Sequence, residues 1–212
     1  MIDLVAGSIK EKSVIHRIGR DKSKTEYLVR KDSRLTLILV GCVTGNLVAD
    51  VSVRLAEEGA SADILGFITG RKHGTLQLNT LQKHEARETK SNLLVKSVLD
   101  DYSAVYYQGL IQVDRNAQRT DAYQRNENLM LSRNAICTTK PMLEINANDV
   151  RCTHGATVSP IGKEEIWYLT SRGISGESAG RLIVSGFLES TLNLISDINA
   201  REQTWRYLWQ LL

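Results

Sequence analysis

Proline is nearly missing from this chain: Pro141 and Pro160 are the only two in 212 residues. Every segment before residue 141 therefore keeps all its backbone donors for pairing. Cysteine is almost as scarce. Cys42, Cys137 and Cys152 form an odd set of three, which argues against a secreted disulfide framework and suits a reducing cytoplasm. No apolar run approaches the ~18 residues needed to cross a bilayer, and the longest, Leu35 to Val40, is strand-sized. The opening MIDLVAGSIKEK places acid too early, after too short an apolar run, to read as a signal peptide. Nor is there an excess of charge. Lys and Arg number 27 against 24 Asp and Glu, mixed along the chain, without the basic stripe that nucleic acid requires. No P-loop, CxxC pair or HExxH occurs, and Gly173 to Gly176 and Ser178-Ala-Gly180 read as break and cap material. Asp100-Asp101 and Glu57-Glu58 are sequence neighbours, so on strands they point to opposite faces. That ranks a carbohydrate-cleaving carboxylate pair last among the readings.

What remains is a chain of short strands. Leu47, Ala49, Val51, Val53 and Leu55 alternate onto one face, and Thr75 to Asn79 alternates likewise. Glu26 to Arg30, Leu35 to Val40, Ile64 to Ile68, Leu93 to Leu99, Ala104 to Val113, Asn128 to Leu131 and Met142 to Ile145 continue the series. Turn residues such as Lys31-Asp-Ser33, Glu57-Glu-Gly-Ala60 and His73-Gly74 bound them. Leu35 to Val40 is apolar in both directions, as expected of a strand covered on each side. This texture predicts an all-β sandwich, barrel or solenoid. No strict repeat period chooses among them.

After Pro160 the pattern turns helical, with helices expected near 163–169 and 177–195 and Ser175 or Ser178 as an N-cap. The tail, Trp205 to Leu212, is aromatic and apolar, suited either to docking on its own core or to a partner. Cys42 reads as a core residue, and His16, His73 and His84 as surface or turn residues. Glu144 reads as an outward, solvated carboxylate.

The stretch Lys140 to Val158, KPMLEINANDVRCTHGATV, organises the rest. Cys152 and His154 are two apart on a predicted strand and so share a face. Thiolate and imidazole together suit iron, zinc or sulfur chemistry. A buried, inert cysteine beside a structural histidine is the alternative, since a Cys-x-His pair without further ligands does not complete a metal site.

The words around that pair resemble the signature of the SufB/SufD family of iron–sulfur cluster assembly scaffolds. Lys140-Pro-Met-Leu-Glu-Ile145, Asn148-Asp-Val150 and Cys152-Thr-His-Gly-Ala-Thr-Val158 carry the resemblance. So do Gly109-Leu-Ile111, Arg119-Thr-Asp121, Asn126 to Ser132, Ile166-Trp-Tyr-Leu169 and Ser171-Arg-Gly-Ile174, in family order. The SufB-type cysteine falls six residues before the proline, where this chain has Ala135. That departure places the similarity on the SufD side.

The resemblance implies a mainly β protein: a right-handed parallel β-helix over residues 1–160 with a small C-terminal helical region over 161–212. It implies a cytoplasmic scaffold subunit rather than an enzyme. Such a subunit pairs through its β-helix end with a SufB-like subunit, or with a second copy so that two His154 side chains meet at a two-fold axis. It also implies a SufC-type ATPase docked at Ile166, Trp167, Tyr168, Arg172, Gly173 and Ile174, on a helical region expected to be removable without unfolding the solenoid. His154, with Cys152 beside it, is the implied assembly site for a transient iron–sulfur cluster; flavin binding is left open. Family members are commonly about twice as long and carry an N-terminal helical domain, so the chain is expected to be a trimmed or compact form. The competing class is a β-helical adaptor with an inert Cys-x-His.

Overall fold

Period-two alternation drives the chain into strands that stack rather than fold back on themselves. The computed structural model describes residues 2–4, 11–19 and 22–209. Twelve strands appear among the described residues: β1 Ile2–Leu4, β2 Glu11–Ile18, β3 Ser23–Val29, β4 Arg34–Val43, β5 Asn46–Leu55 and β6 Ser61–Gly70 come first. β7 Thr75–His84, β8 Lys90–Leu99, β9 Ala104–Val113, β10 Asp121–Met130, β11 Ile136–Ile145 and β12 Arg151–Pro160 complete them. Odd-numbered strands pair in parallel in one sheet, β1-β3-β5-β7-β9-β11, and even-numbered strands in the other, β12-β10-β8-β6-β4-β2. Each strand thus hydrogen-bonds to the strand two further on, which makes a parallel β-solenoid of about five turns.

The two sheets enclose the solenoid core. Leu47, Ala49, Val51, Val53 and Leu55 all point into it, as their alternation predicts. Leu35, Leu37 and Leu39 point in as well, whereas Ile38 and Val40 point out and are equally buried. The reason lies beyond Pro160. Helices α1 Lys163–Ser171, α2 Gly176–Leu192 and α3 Ile198–Trp209 follow the last strand. α2 and α3 cover the outer face of the even sheet, where Ile38, Val40, Leu65 and Phe67 pack with Val184, Leu188, Leu192 and Leu208. The helical region therefore shares a core with the solenoid. Removing residues 163–212 would strip that apolar sheet face bare, contrary to the expectation of a separable segment.

Ser175 caps α2, accepting a hydrogen bond from the Ser178 N–H at 3.2 Å. α3 was not legible as a helix. Its start is marked by Asp197, whose Oδ1 accepts from the Ala200 N–H at 3.1 Å, and its buried face by Ala200, Thr204 and Leu208, four apart. The expected apolar tail begins on this helix; residues 210–212 lie outside the described residues.

The absence of a readable period has a physical cause. Arg34, Ser61, Lys90, Asp121 and Arg151 stack in register but are unequally spaced in sequence. The slack is taken up at the corners, where Asp32, Gly59, Glu88 and Arg119 turn the chain with left-handed φ of 52°, 74°, 57° and 61°. His73 lies in a turn, stacked on Tyr102 at 4.9 Å. His84 departs from its reading: it is fully buried inside the solenoid, its Nδ1 2.7 Å from Thr89 Oγ1 and its Nε2 2.8 Å from Ser91 Oγ. Charged neighbours Lys83 and Glu85 made the segment look exposed, yet the strand alternates and only they face out. His16 is half-buried, with Nδ1 2.7 Å from the Tyr27 hydroxyl. Cys42 is half-buried on the outer face rather than in the solenoid core.

Candidate functional site: the open end of the solenoid

β11 and β12 are the last strands of their sheets. Among the described residues β11 pairs only with β9, and β12 only with β10, so each has an edge free of them. Inward-facing side chains on these strands have buried partners beneath them and no coil above. Cys152 stands over Ala122 and His154 over Gln124 in the ladder, and both point inward on one face, as their spacing predicts. Cys152 is half-buried, packed against the small cluster of Ala122, Ala147 and Ile111. His154 is exposed. Around them the end surface is apolar: Leu143 and Ile145 of β11 and Val158 of β12 are 36%, 38% and 47% exposed, although their register places them where a core would be. An uncapped solenoid end with free edges and exposed core positions is a surface suited to strand pairing with another chain.

The thiols at this end rest protonated at neutral pH. Burial pushes the Cys152 thiol up, with a backbone hydrogen bond from Ala122 acting against it and Asp121 adding to it. Burial raises Cys137 to about 11. Neither is a preformed thiolate, so a metal would have to displace the proton. No group of three or more metal-ligating side chains exists among the described residues. His154 and Cys152 thus supply at most two ligands, fewer than a complete site needs. Cys137 belongs to the opposite end of the last coil, over Val105, with the main core cluster. Gly155 points outward, away from His154, and a Cβ there would meet nothing within 4 Å. Glu144 is outward and exposed, accepting from Gln112 Nε2 at 3.0 Å, as read.

Beneath the open end lies a feature that sequence reasoning missed. The solenoid interior turns polar in its last coils. Gln124 is fully buried, donating from Nε2 to the Gly109 carbonyl oxygen at 3.2 Å and accepting from Gln82 Nε2 at 3.4 Å. Asn126 donates to the Val95 carbonyl at 3.1 Å, and Asn128 to Asn126 Oδ1 at 2.7 Å and the Thr157 carbonyl at 3.0 Å. Gln82 Oε1, Asn128 Oδ1 and Thr139 Oγ1 are buried without a hydrogen-bond partner among the described residues. The signal was present: Gln124, Asn126 and Asn128 fall two apart, a polar face with strand period.

The helical site residues lie elsewhere. α1 buries none of its residues. Trp167 and Tyr168 are 70% and 54% exposed, so they do not serve as core packing. Arg172 stacks over the Tyr168 ring at 5.4 Å. Gly173, at φ 84°, lets the chain reverse so that its N–H reaches the Thr170 carbonyl and the Ile174 N–H the Leu169 carbonyl. Ile166 and Ile174 are half-buried and Gly173 exposed. An exposed aromatic pair with a stacked arginine has the composition of an interface hot spot.

Comparison with known families fits this architecture. The family described as "SUF system FeS cluster assembly, SufBD core domain" matches residues 20–187. The chain belongs to the SufBD core family. Relatives include the iron-sulfur cluster assembly protein SufD of Escherichia coli, 32% identical over 163 residues, covering 77% of this chain and 38% of that protein. An iron-sulfur cluster assembly SufBD family protein of Synechocystis is 34% identical over 171 residues, 78% of this chain and 36% of its own length. SufD of Bacillus subtilis is 28% identical over 163 residues, 77% of this chain and 37% of its own. The chain spans less than two fifths of the length of these relatives. The matched SufBD core residues contain the open end and reach into α2.

Proposed function

We propose that this chain is a cytoplasmic scaffold subunit in iron–sulfur cluster assembly, one that brings no ATPase of its own. It pairs through the open end of the solenoid with a SufB-like subunit or a second copy. The cluster, which is substrate here, assembles where the two ends meet. His154 offers a neutral imidazole nitrogen to iron, and Cys152 offers sulfur once its proton is displaced. A SufC-type ATPase docks on the Trp167, Tyr168 and Arg172 patch. The observation that carries this reading is the uncapped last coil, which leaves inward-row His154 exposed on the same end as Leu143, Ile145 and Val158. Cys152, half-packed into the Ala122 cluster with its thiol held protonated, has the secondary role.

His154→Ala in complex with the partner subunit, purified anaerobically, tests it. Iron per complex and thermal midpoint are measured on the same sample. Iron should be lost at an unchanged midpoint, because an exposed side chain contributes within about 0.5 kcal/mol to folding. Iron retained at a lowered midpoint would make His154 part of the fold only, and the adaptor reading would replace this one.

A further inference from the structure

The chain's two prolines stand on its last two strands, Pro141 on β11 and Pro160 on β12. Backbone direction explains why they are tolerated there. Along a strand, successive residues turn their N–H and C=O groups to alternate edges. At the two ends of β11, the Ile136 and Asn146 N–H groups reach the Ser103 and Val113 carbonyls of the coil beneath. Even-numbered residues of β11 therefore bond to β9, and odd-numbered ones, Pro141 among them, face the edge that no described strand occupies. In β12 the Arg151 and Ile161 N–H groups reach the Thr120 and Met130 carbonyls. Its odd-numbered residues bond to β10, and Cys152, His154, Ala156, Val158 and Pro160 face the free edge. Neither proline costs a ladder bond.

The two edges differ in what they offer another strand. Pro141 removes a donor from the middle of the β11 edge, with Lys140 and Glu144 close by, and proline and charge both blunt an edge. β12 has no such protection. Its free-edge donors are unbroken from Cys152 to Val158, and no Lys, Arg, Asp or Glu lies between Arg151 and Pro160. Gly155 is the midpoint of that run. Two antiparallel copies aligned there set Cys152 against Val158 and His154 against Ala156, each pair exchanging both backbone bonds. Gly155 then meets Gly155 in a non-hydrogen-bonded pair, where antiparallel backbones come closest, and it has open space where a side chain would be. A two-fold contact has to be self-complementary, and this edge is. We propose that a second copy of this chain docks by pairing β12 antiparallel with β12 about Gly155, which joins two even sheets into one and leaves β11 unpaired. The pairing rests on the reading of the open end as a subunit interface, and it sets both His154 side chains on one face, on either side of the axis.

Sedimentation velocity of the whole 212-residue chain over a concentration series tests this pairing. The parent should dimerise reversibly. Ala156→Pro removes one free-edge donor from each copy and should weaken the dimer about thirtyfold, the effect of two lost hydrogen bonds. Thr139→Pro makes the same change on the β11 edge, losing a hydroxyl that has no partner, and should dimerise like the parent. Gly155→Lys and Gly155→Glu have room for their side chains in the single chain. Each alone sets like charges across the axis and should dissociate the dimer, and an equimolar mixture of the two variants should restore it. A monomeric parent overturns the proposal, as does weakening by Thr139→Pro equal to that by Ala156→Pro. Failure of the mixed Gly155 variants to associate overturns it as well, even if a proline variant failed to fold. Iron in His154→Ala complexes with a SufB-like subunit is read separately, so this pairing and the assembly site fail independently.

Discussion

Lys96 Nζ, on the outer face of β8, donates to the Phe187 carbonyl oxygen of α2 at 2.6 Å. The same ammonium donates to Ser190 Oγ at 2.7 Å, lies 3.2 Å from Glu127 Oε2 and sits 4.3 Å over the Phe187 ring. One lysine, 6% exposed, thus satisfies a carbonyl in the C-terminal half of the helix and ties that helix to two neighbouring strands. Lys96→Met keeps the stem and removes the charge. It should destabilise the chain by about 2 kcal/mol, moderated because Arg125 still pairs with Glu127 at 2.6 Å. Thermal unfolding should show the midpoint falling by roughly 4–8 °C; no change would mean that the apolar contacts alone hold α2.

His84 gives the fold an acid sensitivity. Burial lowers its pKa from the ordinary 6.5 to about 4, so the folded state keeps the imidazole neutral while the unfolded chain takes up a proton. Between those two values the unfolded state binds more protons, and stability falls as pH falls. The stabilisation is complete above pH ~6.5 and about 3 kcal/mol is lost by pH ~4. His16, lowered by partial burial, acts in the same direction. Denaturant midpoints at pH 7.5, 6, 5 and 4 should show this slope, and His84→Gln should flatten most of it. An equal slope in the variant would assign the acid sensitivity to other groups.

Much of this was legible from side-chain alternation. Leu47 to Leu55 and the two-sided apolar run at Leu35 to Val40 fixed strand faces and foretold an outer cover. Stacking order was not legible, because corners of unequal length erase the period while the register Arg34–Ser61–Lys90–Asp121–Arg151 survives only in space. The Cys152–His154 face was readable from spacing, but its exposure was not: burial depends on whether another coil follows, which is a property of the stack. His84 misled, and Gln124 was missed, for one reason. A polar residue on a strand reads as outward, and only hydroxyl or amide partners on neighbouring coils make it an inward one.

Gly109 tests the polar interior separately from the site. A Cβ there would fall on Gln124 Nε2 and the Tyr107 hydroxyl, and neither has slack. Gln124 is bonded to the Gly109 carbonyl, and Tyr107 lies 2.8 Å from Thr80 Oγ1. Gly109→Ala should therefore cost about 1–3 kcal/mol through overpacking, seen as a lower denaturant midpoint. His154→Ala, one coil nearer the open end, should show no such loss. Equal stability of the two variants would mean that the interior has room which the packing denies.

The helical patch calls for point substitutions, because deletion of the helices would uncover Ile38, Val40, Leu65 and Phe67 and lose binding through unfolding alone. Trp167 and Tyr168 offer a cleaner test. Both are exposed, α1 buries nothing, and neither takes part in the shared core. Trp167→Ala with Tyr168→Ala should leave the thermal midpoint of the isolated chain within about 0.5 kcal/mol of the parent. Trp and Tyr truncated at the centre of an interface typically cost 2 kcal/mol or more each, so affinity for a SufC-type ATPase should fall by at least about thirtyfold in a calorimetric titration. Arg172→Ala, which removes the guanidinium stacked on Tyr168, should weaken binding by a smaller factor in the same assay. Parent-like affinity in the double variant would move the ATPase contact off α1, and a lowered midpoint would show that the two aromatics support the fold after all.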